Sequence, residues 1–248
     1  MNYFSYQTRM LILGLLFSIL SVTKTEAALS TSALNGIKDD PAFSNRARSF
    51  IQAITFSLVQ PQDKPKLVGS WTPYIETGYH LYAVSSTLAA FTTDRNAPAV
   101  FQSGFFKGGV GLPYGFNVEV GLTQVVTSDR LTGMYGSIGL QVLDLANFVY
   151  VDIVPSVSIS VTGMQVLSGP DLSSGTAQIS VGVYHRENLL QLAGIGQATY
   201  ATLDFPSAHS VLYRYGVTSN IPIYRKLYLK TDILGPDLSG SFAFGYQF

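Results

Sequence analysis

From residue 71 onward the chain alternates between apolar and polar side chains with a period of two. The last eleven residues show this most plainly. Leu238, Gly240, Phe242, Phe244, Tyr246 and Phe248 occupy one phase; Ser239, Ser241, Ala243, Gly245 and Gln247 occupy the other. Successive side chains of a strand point to opposite faces, so this pattern predicts a strand with a different environment on each side. An edge strand this apolar would be an aggregation hazard in water. It suits a wall with lipid on its aromatic side and a lumen on the other.

The same alternation recurs in ten segments: 74–86, 100–112, 116–125, 133–143, 148–162, 176–184, 189–202, 209–219, 223–233 and 238–248. The third is the clearest internal one, with Phe116, Val118, Val120 and Leu122 set against Asn117, Glu119, Gly121 and Thr123. The second is ambiguous in phase, because Phe105 and Phe106 are adjacent. The seventh is rich in Gly and Ala and alternates least well. Pro155 falls on the apolar phase of the fifth, and a residue with no N–H predicts a bulge or weak pairing there. The expected fold is all-β: a transmembrane, antiparallel, up-and-down barrel of about ten strands (range roughly eight to twelve) over 67–248. Connections after the second, fourth, sixth and eighth segments are short, with 220–222 read as one turn. Two on the other side, 87–99 and 163–175, are longer, as expected of external loops.

Phe248, with Tyr246, Phe244 and Phe242 at alternate positions before it, resembles the C-terminal assembly signal of Gram-negative outer-membrane β-barrel proteins. The resemblance implies residence among bacterial outer-membrane lipids and recognition by the barrel-assembly machinery during biogenesis.

Residues 1–27 read as a cleaved secretory signal peptide. Arg9 precedes an apolar run over 10–22, and Thr25, Glu26 and Ala27 offer a small-residue cleavage site. Residues 28–66 form an N-terminal segment. Within it, Asp40 and Pro41 cap an amphipathic helix over about 41–59, with Phe43, Ala47, Phe50, Ile51, Ile54 and Leu58 as its apolar stripe. A Pro-rich linker, 60–66, follows. The helix has several readings: a brace on the rim, a plug in the lumen, a helix in the membrane interface, or an extra strand over 49–60. The short linker predicts that it meets the mouth where the first strand begins, with Arg46 and Arg48 near Glu76 or Glu119.

Composition narrows the chemistry. Charged residues make up 12 % of the chain and aromatics 12 %, a balance suited to a lipid-facing barrel. Fifteen basic residues against fifteen acidic ones give no basic face for nucleic acid. There is no cysteine, hence no disulfide, thiolate site or lipidated Cys. No motif predicts a cofactor, a metal or an enzyme. His209 and Ser210 are neighbours on a strand and point to opposite faces, so they are poorly placed as a dyad. The remaining candidates are polar and charged groups on lumen phases: Glu76, His80, Lys107, Glu119, Asp152, Arg214, Lys230 and Asp232. They fit a small porin-like channel passing small solutes. The alternative is a structural or interaction barrel with a plugged lumen. A rim-located lipid-modifying enzyme is a distant third. About eight strands leave an interior filled by side chains, so ten lies near the filled end.

Overall fold

The computed structural model describes residues 43–58, 71–83, 100–125, 131–144, 152–169, 171–185, 187, 189–204, 208–236 and 238–248. The signal peptide, the 60–66 linker, the 87–99 loop and the start of the fifth expected strand lie outside these residues.

Ten antiparallel strands close into a barrel. They are β1 (Pro73–Ala83), β2 (Val100–Gly111), β3 (Phe116–Val125), β4 (Thr132–Asp144), β5 (Ile153–Ser168), β6 (Leu172–His185), β7 (Gln191–Leu203), β8 (Ala208–Tyr224), β9 (Leu227–Gly235) and β10 (Ser239–Gln247). Each pairs with its neighbours in sequence, and β10 returns to β1, with Tyr74 opposite Gln247 and Tyr82 opposite Ser239. Closure leaves no open edge, the condition a sheet must meet to span lipid. We call the end where β1 begins and β10 finishes proximal, and the other distal.

The alternation was read in the correct phase. Val120, Leu122, Ile138, Val161, Val181, Val217 and Phe244 are exposed outside, while Glu119, Ser137, Thr162, Gln178, Thr218 and Ala243 are buried inside. The ambiguous β2 resolves with Phe105 inward and Phe106 outward. A register shift between Gln141 and Leu143 of β4 faces Ser158 and Val157 of β5, beside Pro155, where irregular pairing was expected.

Two expected connections are strand instead. β5 runs on to Ser168 and β6 starts at Leu172, so most of 163–175 is a hairpin rather than a loop. β8 continues through 220–222 to Tyr224, and the turn falls at Arg225, which has positive φ. In the hairpin the alternation persists with its sense reversed: Met164, Val166 and Leu172 are buried inside, while Gln165 and Ser173 are exposed outside.

Among the described residues one helix, α1 (Phe43–Leu58), precedes the barrel. Ile51, Ala53, Ile54, Thr55, Phe56 and Leu58 are all buried. At 100° per residue these positions point in every direction around the helix axis. The last two turns are therefore surrounded, which places them in the lumen as a plug rather than on the rim, in an interface or in a strand. Their barrel partners are Tyr82, Val125, Leu131, Met164, Leu172, Leu203 and Leu212 among others. All lie at the distal end, opposite to the mouth expected from the linker. The twelve residues 59–70 can reach about 40 Å when extended. β1, with eleven residues, is about 36 Å long at 3.3 Å per residue, so the connection does not hold α1 at the proximal end.

Candidate functional site

The interior has two storeys, and the boundary between them is sharp. On eight strands the inward side chain changes from apolar to polar over one two-residue step towards the proximal end. The steps are Tyr82 to His80, Val125 to Thr123, Tyr135 to Ser137, Met164 to Thr162, Leu172 to Ser174, Ala201 to Thr199, Leu212 to Arg214 and Leu234 to Asp232. The distal storey is an apolar chamber occupied by α1. The proximal storey is polar.

Seven of the eight lumen residues expected from sequence come together in the polar storey. Glu76, His80, Lys107, Glu119, Arg214, Lys230 and Asp232 are each at most 2 % exposed. Asp152 is the exception: it lies exposed at a bend before β5, outside the interior. The alternation extends back through Asp152, whereas β5 begins at Ile153. Neither is Arg48 inside; it is exposed. The groups that meet Glu76 and Glu119 belong to the wall itself.

Lys107 Nζ stands 2.8 Å from Glu76 Oε2 and 3.4 Å from Glu119 Oε1. Tyr228 donates its hydroxyl to Glu76 Oε1 at 2.6 Å, and Tyr74 donates to Glu119 Oε2 at 2.5 Å. Nearby, Asp232 Oδ2 accepts from Ser241 and lies 3.7 Å from Lys230 Nζ. Three cations, Lys107, Lys230 and Arg214, thus stand against three anions, Glu76, Glu119 and Asp232. Burying a charge requires pairing and hydrogen bonding, and both carboxylates around Lys107 have both.

Glycines make room for this. Tyr74 is directly opposite Gly109, Tyr135 opposite Gly121, and Tyr228 opposite Gly245. In each pair the tyrosine ring occupies the space where a Cβ on the glycine would sit. The Tyr74 and Tyr228 rings thereby bring their hydroxyls to Glu119 and Glu76. The alternation along a single strand does not reveal these pairs; their signal is a lumen-phase Gly in register with a Tyr. At the proximal mouth, Leu189 from the β6–β7 connection forms a small apolar cluster with Tyr74 and Tyr228.

Arg214 joins the two storeys. Its Nε donates to Gln197 Oε1 at 2.8 Å, and Gln197 in turn donates to Gln178 Oε1 at 2.8 Å. Its Nη1 donates to the main-chain oxygen of Phe56 at 3.3 Å, and its guanidinium lies 4.7 Å from the centre of the Phe56 ring. Thr123 Oγ1 donates to the main-chain oxygen of Leu58 at 3.1 Å. The final carbonyls of a helix have no intrahelical partner and carry partial negative charge. The barrel wall supplies a cation and a hydroxyl to α1 at this end.

Other sequence candidates do not converge. His209 is exposed and Ser210 buried, on opposite faces of β8. His185 Nδ1 accepts from the main-chain N–H of Glu187. Among the described residues no group of three His, Cys, Asp or Glu is placed to hold a metal ion.

An apolar exterior around a polar, charge-bearing interior is the inverse of a water-soluble barrel, and it defines the class: a barrel built to have lipid around it. No protein-family model matches the chain, and no curated protein matches it by sequence. Among solved structures it is similar to an outer membrane channel from Pseudomonas putida F1. The identity is 11 %, with 77 % of this chain and 100 % of that chain covered, at a TM-score of 0.38. A likeness at that distance does not say what this chain does.

Proposed function

We propose that this chain is a bacterial outer-membrane β-barrel held closed by its own contents, a plugged barrel rather than a passive porin. The observation that carries this is the Lys107 cluster: a cation buried between Glu76 and Glu119, with two tyrosine hydroxyls completing the carboxylates. Charges at most 1 % exposed support a lumen filled by side chains at this level. α1 supplies a second barrier in the distal chamber, and Leu189 narrows the proximal mouth.

The location rests on the exposed apolar wall and on the exposed Phe242, Phe244 and Phe248 at alternate positions of the terminal strand. The barrel-assembly machinery is the proposed partner in biogenesis, and outer-membrane lipid the permanent one.

The test is electrical. Full-length mature protein, reconstituted into planar bilayers, is expected to give no steady current at moderate voltage. A stable ohmic conductance in every insertion would overturn the closed reading and restore the porin-like one.

A further inference from the structure

The outer wall is uneven. Gln102, Gln124, Gln165, Ser173 and His209 point outward and are exposed, each near the distal end of its strand. Polar groups in the hydrocarbon would go unsatisfied, so this part of the wall stands in water beyond the lipid. Proximal to it, three successive outward positions of β7, Gly194, Gly196 and Ala198, carry nothing larger than a methyl.

Strand pairing sets these small residues between large ones. Val161, Ala177, Ala198 and Tyr213 lie side by side on β5, β6, β7 and β8, and Ile159, Ile179, Gly196 and Tyr215 form the next row. The result is an apolar groove of about 750 Å3, floored by Ala177, Gly196 and Ala198. Its β8 bank is a ridge, with Tyr213 and Tyr215 65 % and 62 % exposed. Tyr215 is six residues along β8 from His209, about 20 Å of strand. The strand tilt reduces this to a depth of about 15 Å in an apolar band about 25 Å tall. Among the described residues the Tyr215 hydroxyl has no hydrogen-bond partner, and lipid chains offer it none.

We propose that this patch is the interface between two copies of the chain, the β8 ridge of each seated in the groove of the other. Two copies inserted in the same sense are related by a two-fold axis along the membrane normal, and such an axis demands a self-complementary patch. A ridge beside a groove meets that demand when the axis passes close to β7. Small residues let membrane-embedded surfaces approach closely where burial from water supplies no force. They also bare the main chain at Gly194 and Gly196, whose carbonyls have a second lone pair for an incoming hydroxyl. The area suffices. Four tyrosine rings of about 150 Å2 each, with the equal area of groove that covers them, bring the total to about 1,000 Å2, where specific interfaces begin. A lipid chain is the competing occupant, and it would leave the hydroxyls unpaired. The inference rests on the lipid-embedded reading and goes beyond it.

The chain has no cysteine, so single thiols can be placed. Full-length mature protein carrying Ala198→Cys is reconstituted into phosphatidylcholine vesicles at high dilution in lipid and treated with a short bismaleimide. A covalent dimer is expected. Leu122→Cys, equally outward but on β3 across the barrel, should give at least tenfold less. Gly196→Leu fills the groove. A Cβ there comes no nearer than 3.6 Å, to Ile179, so the barrel keeps its fold, and the Ala198→Cys cross-link should fall at least tenfold. Tyr213→Ala with Tyr215→Ala should do the same. Mixing the filled-groove chain with the trimmed-ridge chain should restore cross-linked dimers of mixed composition, because one keeps the ridge and the other the groove. Heat-modifiable migration checks folding, and flotation with the vesicles checks insertion. Folded, floating protein that gives no dimer, equal cross-linking at the two thiols, or cross-linking indifferent to Gly196→Leu would each overturn the proposal and leave the closed reading intact. Protein that folds but does not float would overturn the lipid-embedded reading along with it.

Discussion

Tyr228 of β9 lies across Gly245, its directly opposed neighbour on β10, and donates its hydroxyl to Glu76 on β1. The glycine provides the space, the ring covers bare backbone, and the hydroxyl stabilises a buried carboxylate on the next strand along. Tyr74 repeats the arrangement over Gly109 with Glu119 as its acceptor.

The relationship predicts a strong size limit at Gly245. Gly245→Ala places a methyl inside the Tyr228 ring position, so the ring must move and its hydrogen bond with it. Overpacking of this kind typically costs about 1–3 kcal/mol. Tyr228→Leu should remove most of that penalty, so the double variant should be less destabilised than the sum of the singles. Urea unfolding of refolded barrels measures it; strict additivity would mean that the two residues do not compete for space.

Lys107 is the cation between two anions. Lys107→Met leaves Glu76 and Glu119 facing each other without it, and removing one partner of a buried ion pair costs about 3–5 kcal/mol. Glu119→Gln leaves Lys107 paired with Glu76 and should cost less. The order of the two unfolding midpoints is the readout. A Lys107→Met barrel as stable as the parent would mean that water reaches these carboxylates.

The wall predicts a depth-dependent response to charge. Val120 is 62 % exposed on the lipid phase of β3. Val120→Arg should destabilise by about 2–4 kcal/mol if it lies near mid-membrane. Gln124→Arg, on the same face of the same strand but near its distal end, should cost close to nothing. Equal penalties at both sites would place the bilayer higher on the barrel than the side chains indicate.

The terminal aromatic predicts an assembly defect rather than a stability defect. Phe248 is 52 % exposed, so Phe248→Ser removes little packing. Secretion should continue while the amount of heat-modifiable barrel in the outer membrane falls. Undiminished insertion would count against an assembly signal at this end.

Most of the barrel was legible because period-two alternation survives wherever the two faces meet different solvents. β3 and β10 were read residue by residue, and the phase put six charged side chains and His80 on the inside, where they are buried. Legibility failed where the solvents changed. In 163–175 Met164, Val166 and Leu172 are inside while Gln165 and Ser173 are outside, so a reading tuned to lipid outside took a hairpin for a loop. It failed at Asp152 for a different reason: Val149 and Val151 extend the pattern of β5 backwards, though β5 begins at Ile153. The helix was legible as a helix, but its position was not. Its distal partners, Met164, Val166 and Leu172, were in the stretch misread as loop. The pairs of Tyr with Gly depend on register between strands, which no single strand reveals.

The reversal along β5 has a consequence for variation. Val161 faces out and Val166 faces in, five residues apart on one continuous strand. At Val161 a serine replaces a lipid contact; at Val166 it opens a hole beside the helix. Outward at Gln165 a leucine adds an oily spot to a wet surface, whereas outward at Ile159 the same leucine is neutral. A single strand therefore obeys two grammars, that of a membrane wall and that of a water-soluble protein, and the word where one gives way to the other is Gly163.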